Sequence, residues 1–293
     1  MVDTQSYFLP GLDDGAPDRE RAPDPAGKDP TMIDTHSHIL PGLDDGPPDW
    51  EQALAMARAA VDDGISEMVC TPHWVPGKYE NSREAILQRF AEFEAQLAAA
   101  RIPLKIHPGA ELRIDTSIPA RLKSGELLTL GNGSGYVLLE LPDETLPDNL
   151  REFFWNLQLA GFRPILSHVE RNPVLREHPR RLVSWVESGI LTQVTAASLL
   201  EEFSTEIRDF ALMLVEHRLV HMLVTDTHSL RMRKPQLSAA CRVIEEAAGP
   251  EAVGRMVLDT PRCILRGEAV PPIDPLPLTE PKKGGFWSFL KRG

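Results

Sequence analysis

Residues 32–51 read MIDTHSHILPGLDDGPPDWE. Ile33 begins a short strand, which runs into Asp34-Thr-His36-Ser-His38 and then Asp44-Asp45-Gly46. Alternate residues of an extended segment point the same way, so the HxH pair puts two imidazoles on one side. A helix follows over Trp50–Asp63, with apolar spacing at Leu54, Ala57 and Val61, and Gly64 closes it. This is a strand, a chemistry-bearing turn and a helix, the unit from which parallel α/β sheets are built.

The same alternation continues outward. Further strands are expected at Ile65–Cys70, Leu104–His107, Tyr136–Leu141, Pro164–Ser167, Ile190–Val194 and Val220–Thr225. Helices are expected over Arg83–Ala100, Asn149–Ala160, Arg180–Ser188, Thr205–His217, Gln236–Ala248 and Glu251–Leu258. Seven strand candidates in βα alternation imply a parallel sheet and suggest a closed barrel. An open doubly wound sheet is the alternative, but the chain has no GxGxxG or Walker-type loop to favour it.

Residues 1–20, MVDTQSYFLPGLDDGAPDRE, copy residues 32–51 with fourteen of twenty positions identical. Gln5 and Tyr7 stand where His36 and His38 stand, so the copy lacks the imidazoles. Residues 21–31 form a Pro/Asp-rich linker without apolar periodicity. The chain is therefore expected to divide into a degenerate N-terminal segment 1–31 without stable structure, a compact catalytic unit 32–270, and a Pro-rich linker with an aromatic and basic tail over 271–293. The tail, with Phe286, Trp287, Phe289 and Leu290 among cations, is a candidate peripheral membrane contact over 282–293.

Hydrophobic content of 42% and charged content of 25% are those of a soluble globular protein. There is no apolar run of membrane-spanning length and no basic-then-apolar leader, so a cytoplasmic location is expected. A net charge of −12 argues against non-specific nucleic-acid binding. Three divalent cations in a carboxylate-rich site would return six of those charges. Cys70, Cys241 and Cys263 form no CxxC pair, and none is followed by the five-residue loop and Arg of a thiol phosphatase.

Nearly every expected strand delivers a His or a carboxylate at its C-terminal end. The series is His36, His38 and Asp45, then His73, Glu111, Glu140, His168, and finally Asp226 with His228. In a parallel barrel these ends converge on one face. Nine such groups without cations would be self-repelling and poorly solvated. Mixed imidazole and carboxylate without thiolate suits Mn, Fe or Zn, and nine ligands suit two or three ions.

The ordered motifs THSH, DDG, TPH, GAE, LLE, SHVER and DTH resemble the polymerase-and-histidinol-phosphatase (PHP) superfamily from Met32 to about Arg266. MIDTHSHILPGLDDGP, SHVERN and DTHxxxxR resemble, within it, the manganese-dependent protein-tyrosine phosphatases of bacterial capsule and exopolysaccharide operons. The resemblance implies a distorted (β/α)7 TIM-like barrel with a trinuclear site, usually Mn. It assigns His36, His38, Glu111 and Asp226 to one ion; Glu111, Glu140 and His168 to a second; and Asp45, His73 and His228 to a third. It also makes Arg171 and Arg233 the catalytic, phosphate-binding arginines, with Arg231 as a spare. The implied partner is a tyrosine-phosphorylated bacterial kinase or its Tyr-rich tail.

Asp34 is expected to position the His ligands, and Asp44 is either a turn residue or a catalytic one. Ser229 replaces the family's frequent Asn, and Arg113 lies where the family often has Phe or Tyr. A phosphomonoester is doubly charged, and clustered cations both neutralise it and lower the pKa of bound water to about 7. The alternatives are a histidinol-phosphate phosphatase of the same superfamily, a nuclease module, and a non-catalytic metal-stabilised scaffold. The acidic balance argues against the nuclease.

Overall fold

The computed structural model describes residues 32–278. The duplicated segment and linker of residues 1–31, and the aromatic tail over 282–293, lie outside the described residues.

In chain order, β1 (Met32–Ser37) leads to α1 (Trp50–Asp62), then β2 (Ile65–Cys70), β3 (His73–Val75) and β4 (Tyr79–Glu80). Next come α2 (Arg83–Ala99), β5 (Lys105–Pro108), β6 (Glu111–Arg113), α3 (Ile118–Ser124), β7 (Tyr136–Glu140), α4 (Leu150–Leu159) and β8 (Arg163–Leu166). A 3₁₀ turn at Val169–Arg171 precedes α5 (Pro173–Glu177), α6 (Arg180–Glu187), β9 (Leu191–Thr195), α7 (Ala196–Leu199), α8 (Thr205–Glu216) and β10 (Met222–Val224). The end is helical: α9 (Ser238–Ala248), α10 (Pro250–Gly254), a π turn at Arg255–Asp259 and α11 (Thr260–Leu265).

The strands pair as two sheets. One has the order β1-β2-β5, and the other β10-β9-β8-β7-β6-β3-β4. All pairs are parallel except β3 with β4. The chain passes between the sheets at Thr71-Pro72 and again at Gly109-Ala110. Each of these crossings follows an expected strand and begins a second, short one that the apolar pattern does not announce. Pro72 has no N–H to give the ladder, so pairing stops and restarts at His73. On the other side β1 meets the end of β10. His38 N donates to Thr227 O at 2.9 Å, and Asp226 N donates to His36 O at 3.0 Å.

β7 and β9 are buried along their whole length, as expected of parallel strands covered on both faces. Alternate strand residues Val69, Leu138, Ile165, Leu191, Met222 and Val224 pack with Ile264 of α11 in a small inner core. Along most of these strands the core residues precede the polar ones, so the apolar packing supports the polar end from beneath. The remaining apolar side chains fill the layer between strands and helices. Asp49, Ser82 and Ser204 cap α1, α2 and α8 by accepting from the third residue on. Residues 271–278 have no helix or strand, but Leu276 N donates to His217 O at 2.9 Å.

Candidate metal centre

The fold brings the nine predicted ligands together at one end of the strand system, at strand ends and in the segments that join them. His36 lies in β1 and His38 just beyond it, Asp45 in the loop before α1, and His73 and Glu111 open β3 and β6. Glu140 closes β7, His168 follows β8, and Asp226 and His228 follow β10. Three groups have donor atoms close enough to share an ion: His38, Asp45, His73 and His228; His36, His38 and Asp226; and His73, Glu111 and Glu140.

The innermost group is the tightest. His36 Nε2 and His38 Nε2 are 3.2 Å apart, and each is 3.4 Å from Asp226 Oδ1. Glu111 Oε2 is 3.3 Å from the first and 3.4 Å from the second. Neighbouring ligand atoms sharing one cation at about 2.0–2.2 Å are about 2.8–3.6 Å apart in octahedral or tetrahedral arrangements. The donor set fits a divalent ion on that count. It fits on a second count as well. Both Glu111 oxygens are buried without an aligned hydrogen bond, although His168 Nε2 and His73 Nδ1 each lie 3.1 Å away. Close approach without alignment is what ligands of a common centre show.

Of the outer groups, Asp45, His73 and His228 lie together as the family assignment implies, with His38 added, whereas the other gains His73. His73 lies with Glu111 and Glu140, while His168 Nε2 is 3.1 Å from Glu111 Oε1 but 3.8 Å from Glu140 Oε1. His228 Nε2 and His73 Nε2 are 3.2 and 3.6 Å from Asp45 Oδ1, and His38 joins that group.

Electrostatics show how the charges balance without ions. Burial lowers the pKa of His36, but the charges of Glu111 and Asp226 outweigh it and hold the ring above its ordinary value. For His38, burial is likewise overcome, chiefly by Asp44. Glu111 and Asp226, raised by burial, are driven well below the usual carboxylate range by their cationic neighbours. A divalent ion would compete with protons for these same groups.

Behind the donors lies a supporting set. Asp34 is fully buried and accepts from Thr225 N at 3.1 Å, Thr225 Oγ1 at 2.5 Å and His36 N at 3.2 Å. It thus fastens β1 to the end of β10 where His36 and Asp226 meet. Burial pushes its carboxyl up to about 6 against those hydrogen bonds. Asp44 accepts from His38 Nδ1 at 2.7 Å, His73 N at 2.9 Å and Gly46 N at 3.0 Å, which makes it an orienting residue rather than a plain turn. Only glycine fits at 46, because a Cβ there would lie 2.0 Å from the His38 carbonyl oxygen. Gln193 on β9 holds His36 Nδ1 at 3.3 Å and Thr35 Oγ1 at 2.9 Å. Gln193 is not among the residues expected from the sequence, where its one signal is a large amide inside a strand that is buried throughout.

The donors open into a cavity of about 500 Å³ whose lining includes Arg113, Arg171 and Arg233. Arg171 Nη1 is 2.5 Å from Asp226 Oδ2, and Arg233 Nη1 is 3.4 Å from the same oxygen. Arg113 bridges Glu140, at 3.1 Å, and Asp143, at 2.8 Å. Arg231 is exposed and is not part of this lining. Among the described residues, seven non-glycine residues have positive φ, and His168, Asp226 and Arg233 are three of them. Such backbone conformations are costly and cluster where a side chain must be aimed.

Buried imidazoles and carboxylates at the C-terminal ends of parallel strands, facing an arginine-lined cavity, are the arrangement of a metal-assisted hydrolase. The chain belongs to the capsular polysaccharide synthesis family CpsB/CapC, which matches residues 32–266. Tyrosine-protein phosphatase YwqE of Bacillus subtilis is 36% identical over 287 residues, 98% of this chain and 100% of its own length. Tyrosine-protein phosphatase CpsB of Streptococcus agalactiae is 27% identical over 224 residues, 75% of this chain and 92% of its own. A crystal structure from work on YwqE of B. subtilis and CpsB of Streptococcus pneumoniae, described as unique metal-dependent tyrosine phosphatases, superposes with a TM-score of 0.81. It is 35% identical and covers 85% of this chain and 100% of that one.

Proposed function

We propose that this chain is a metal-dependent phosphomonoesterase that hydrolyses phosphotyrosine in proteins, with a tyrosine-phosphorylated kinase of capsule or exopolysaccharide synthesis as its partner. The observation that carries the reading is Glu111, whose two buried oxygens lie among four imidazoles with no aligned hydrogen bond. Three divalent ions, Mn in the family pattern, would be held by His36, His38, Asp45, His73, Glu111, Glu140, His168, Asp226 and His228. When bound, they would neutralise phosphate charge and activate water.

Arg171 and Arg233 are the chain's own phosphate donors in this reading. Each planar guanidinium can direct two N–H groups at phosphate oxygens. Asp226 receives both guanidinium groups and keeps them at the cavity wall. The tyrosyl leaving group is a phenoxide with a parent pKa near about 10, so departure makes modest demands on a general acid. We also read the strand circuit as a distorted seven-membered barrel, with β2/β3 and β5/β6 each counted once; the β1–β10 hydrogen bonds support closure. The catalytic unit then spans 32–270. Among the described residues no helix is long and apolar enough to cross a membrane; we assign the chain to the cytoplasm, with residues 282–293 as a reversible contact to the membrane's inner face.

The test pairs metal analysis of the full chain with hydrolysis of a phosphotyrosine peptide and of histidinol phosphate. Bound divalent metal, loss of turnover on chelation, recovery with Mn and preference for the peptide are expected. A metal-loaded protein that turns over histidinol phosphate faster, or neither substrate, would overturn the reading.

A further inference from the structure

Among the described residues, seven large hydrophobic side chains are exposed, and four of them, Leu200, Phe203, Leu230 and Met232, lie on the two loops that lead into α8 and α9. Arg233 N donates to Glu202 at 3.2 Å and ties these loops together. Phe203 and Met232 reach the cavity lining beside Arg171 and Arg233. The Arg171 guanidinium carbon lies 5.2 Å from the Phe203 ring centroid, so the apolar patch begins where the phosphate-facing cations end.

The part of the lining formed by Arg113, Asp143 and Tyr79 has a different character. Arg113 and Asp143 pair with each other there, and Tyr79 already stacks on His73 at 5.7 Å with Lys78 4.6 Å from its ring. Phe203 and Met232 are exposed, whereas the lining residues Val75 and Tyr79 are partly buried, so the most accessible apolar surface of the cavity is on the Phe203 side. A ligand matching both features is doubly anionic at one end and flat and apolar at the other.

We propose that Phe203 and Met232 form an apolar clasp for the ring of an aryl phosphate, and that this pair gives the site its preference for aryl over alkyl phosphates. The proposal rests on the phosphatase reading above. Both side chains are exposed, Phe203 by 36% and Met232 by 62%, so truncating them leaves the core intact. Removing Phe203 also removes a packing surface of Arg171. That effect falls on every phosphate alike and cancels in a ratio.

The test is the affinity ratio of phenylphosphonate to methylphosphonate, measured by calorimetry on the metal-loaded full chain. It is paired with the kcat/KM ratio for phosphotyrosine and phosphoserine peptides of one sequence. The wild type should prefer the aryl ligand by about tenfold, equivalent to about 1.4 kcal/mol. F203A/M232A should bring both ratios down by most of that factor, through KM rather than kcat, and Phe203→Tyr should restore them. Trp155→Ala, an exposed aromatic outside this cavity, should leave them unchanged. Unchanged ratios in the folded, metal-loaded double variant, or a loss produced by Tyr79→Ala instead, would overturn the clasp. A wild type that binds both phosphonates and hydrolyses neither peptide would overturn the phosphatase reading, and the binding ratio would still decide the clasp.

Discussion

Glu111 and Glu170 are both fully buried carboxylates just beyond strands of the same sheet system, yet their surroundings differ in kind. Glu170 Oε1 accepts from Thr195 N and Thr195 Oγ1, each at 3.0 Å, and from Ser198 Oγ at 2.6 Å. Neutral donors hold that oxygen, and Glu170 serves the fold by joining the Val169–Arg171 turn to the end of β9. Glu111 has imidazoles around it and no aligned donor. The first environment satisfies one carboxylate oxygen fully with protein donors and leaves Oε2 buried without a partner, whereas in the second neither oxygen has an aligned donor. The second would be completed by cations, because burying several charges is tolerable only when each has a partner of opposite sign.

The sharpest way to break this contrast is Glu111→Gln. The amide loses the charge shared by the innermost group, so bound metal should fall and kcat/KM should drop by at least about 10³, beyond the cost of one lost donor. Elemental analysis beside phosphatase kinetics checks it; full metal content would mean that Glu111 is structural, as Glu170 is.

Next in size, Arg171→Ala or Arg233→Ala should lower kcat/KM by about 10²–10³ while metal content stays at the wild-type level. Near-normal turnover in both single variants would move the phosphate site elsewhere in the cavity.

Glu170→Ala should act on stability instead. Three donors lose their acceptor, which costs about 1–3 kcal/mol, read from denaturant midpoints, with metal stoichiometry retained. Loss of metal with unchanged stability would erase the distinction between the two carboxylates.

Glu67 supplies the mild end of the scale. Its side chain is 28% exposed and meets Lys105 Nζ at 3.0 Å and His107 Nε2 at 2.8 Å. Burial raises its pKa, and the Lys105 and His107 hydrogen bonds outweigh that and lower it. A lowered folded pKa means that the stabilisation is fully present above the unfolded value of about 4.3 and is lost as pH falls through the folded value. Glu67→Gln should therefore cost less than about 1 kcal/mol at pH 7, with the difference vanishing in acid. A difference that persists in acid would point to packing rather than charge.

Much of the frame was legible before folding. The helix over Trp50–Asp62 and the strand at Ile65–Cys70 follow from apolar period and from the glycine between them. Short elements were not legible. β3 and β6 have three residues each, too few to show a period, and they exist because His73 and Glu111 pair with one another across the sheet. Helices α3, α5 and α7 are similarly short. The π turn at Arg255–Asp259 interrupts a region that reads as a single helix.

The sequence by itself determined which residues could do the chemistry. Strand ends bearing His36, His38, Glu140, His168 and Asp226 follow from local pattern, because period and turn residues act over a few positions of chain. Only the tertiary structure decided how those groups combine. It set His73 beside Glu111 and Glu140, gave His38 to Asp44, and placed Gln193 behind His36 across 157 positions of chain. It also set exposed Phe203 against Arg171. The physical reason is that a shared ion, an orienting hydrogen bond or a stacked ring depends on separations of a few ångströms. Those separations are fixed by strand register and by the packing of the inner core, which no local stretch of chain encodes.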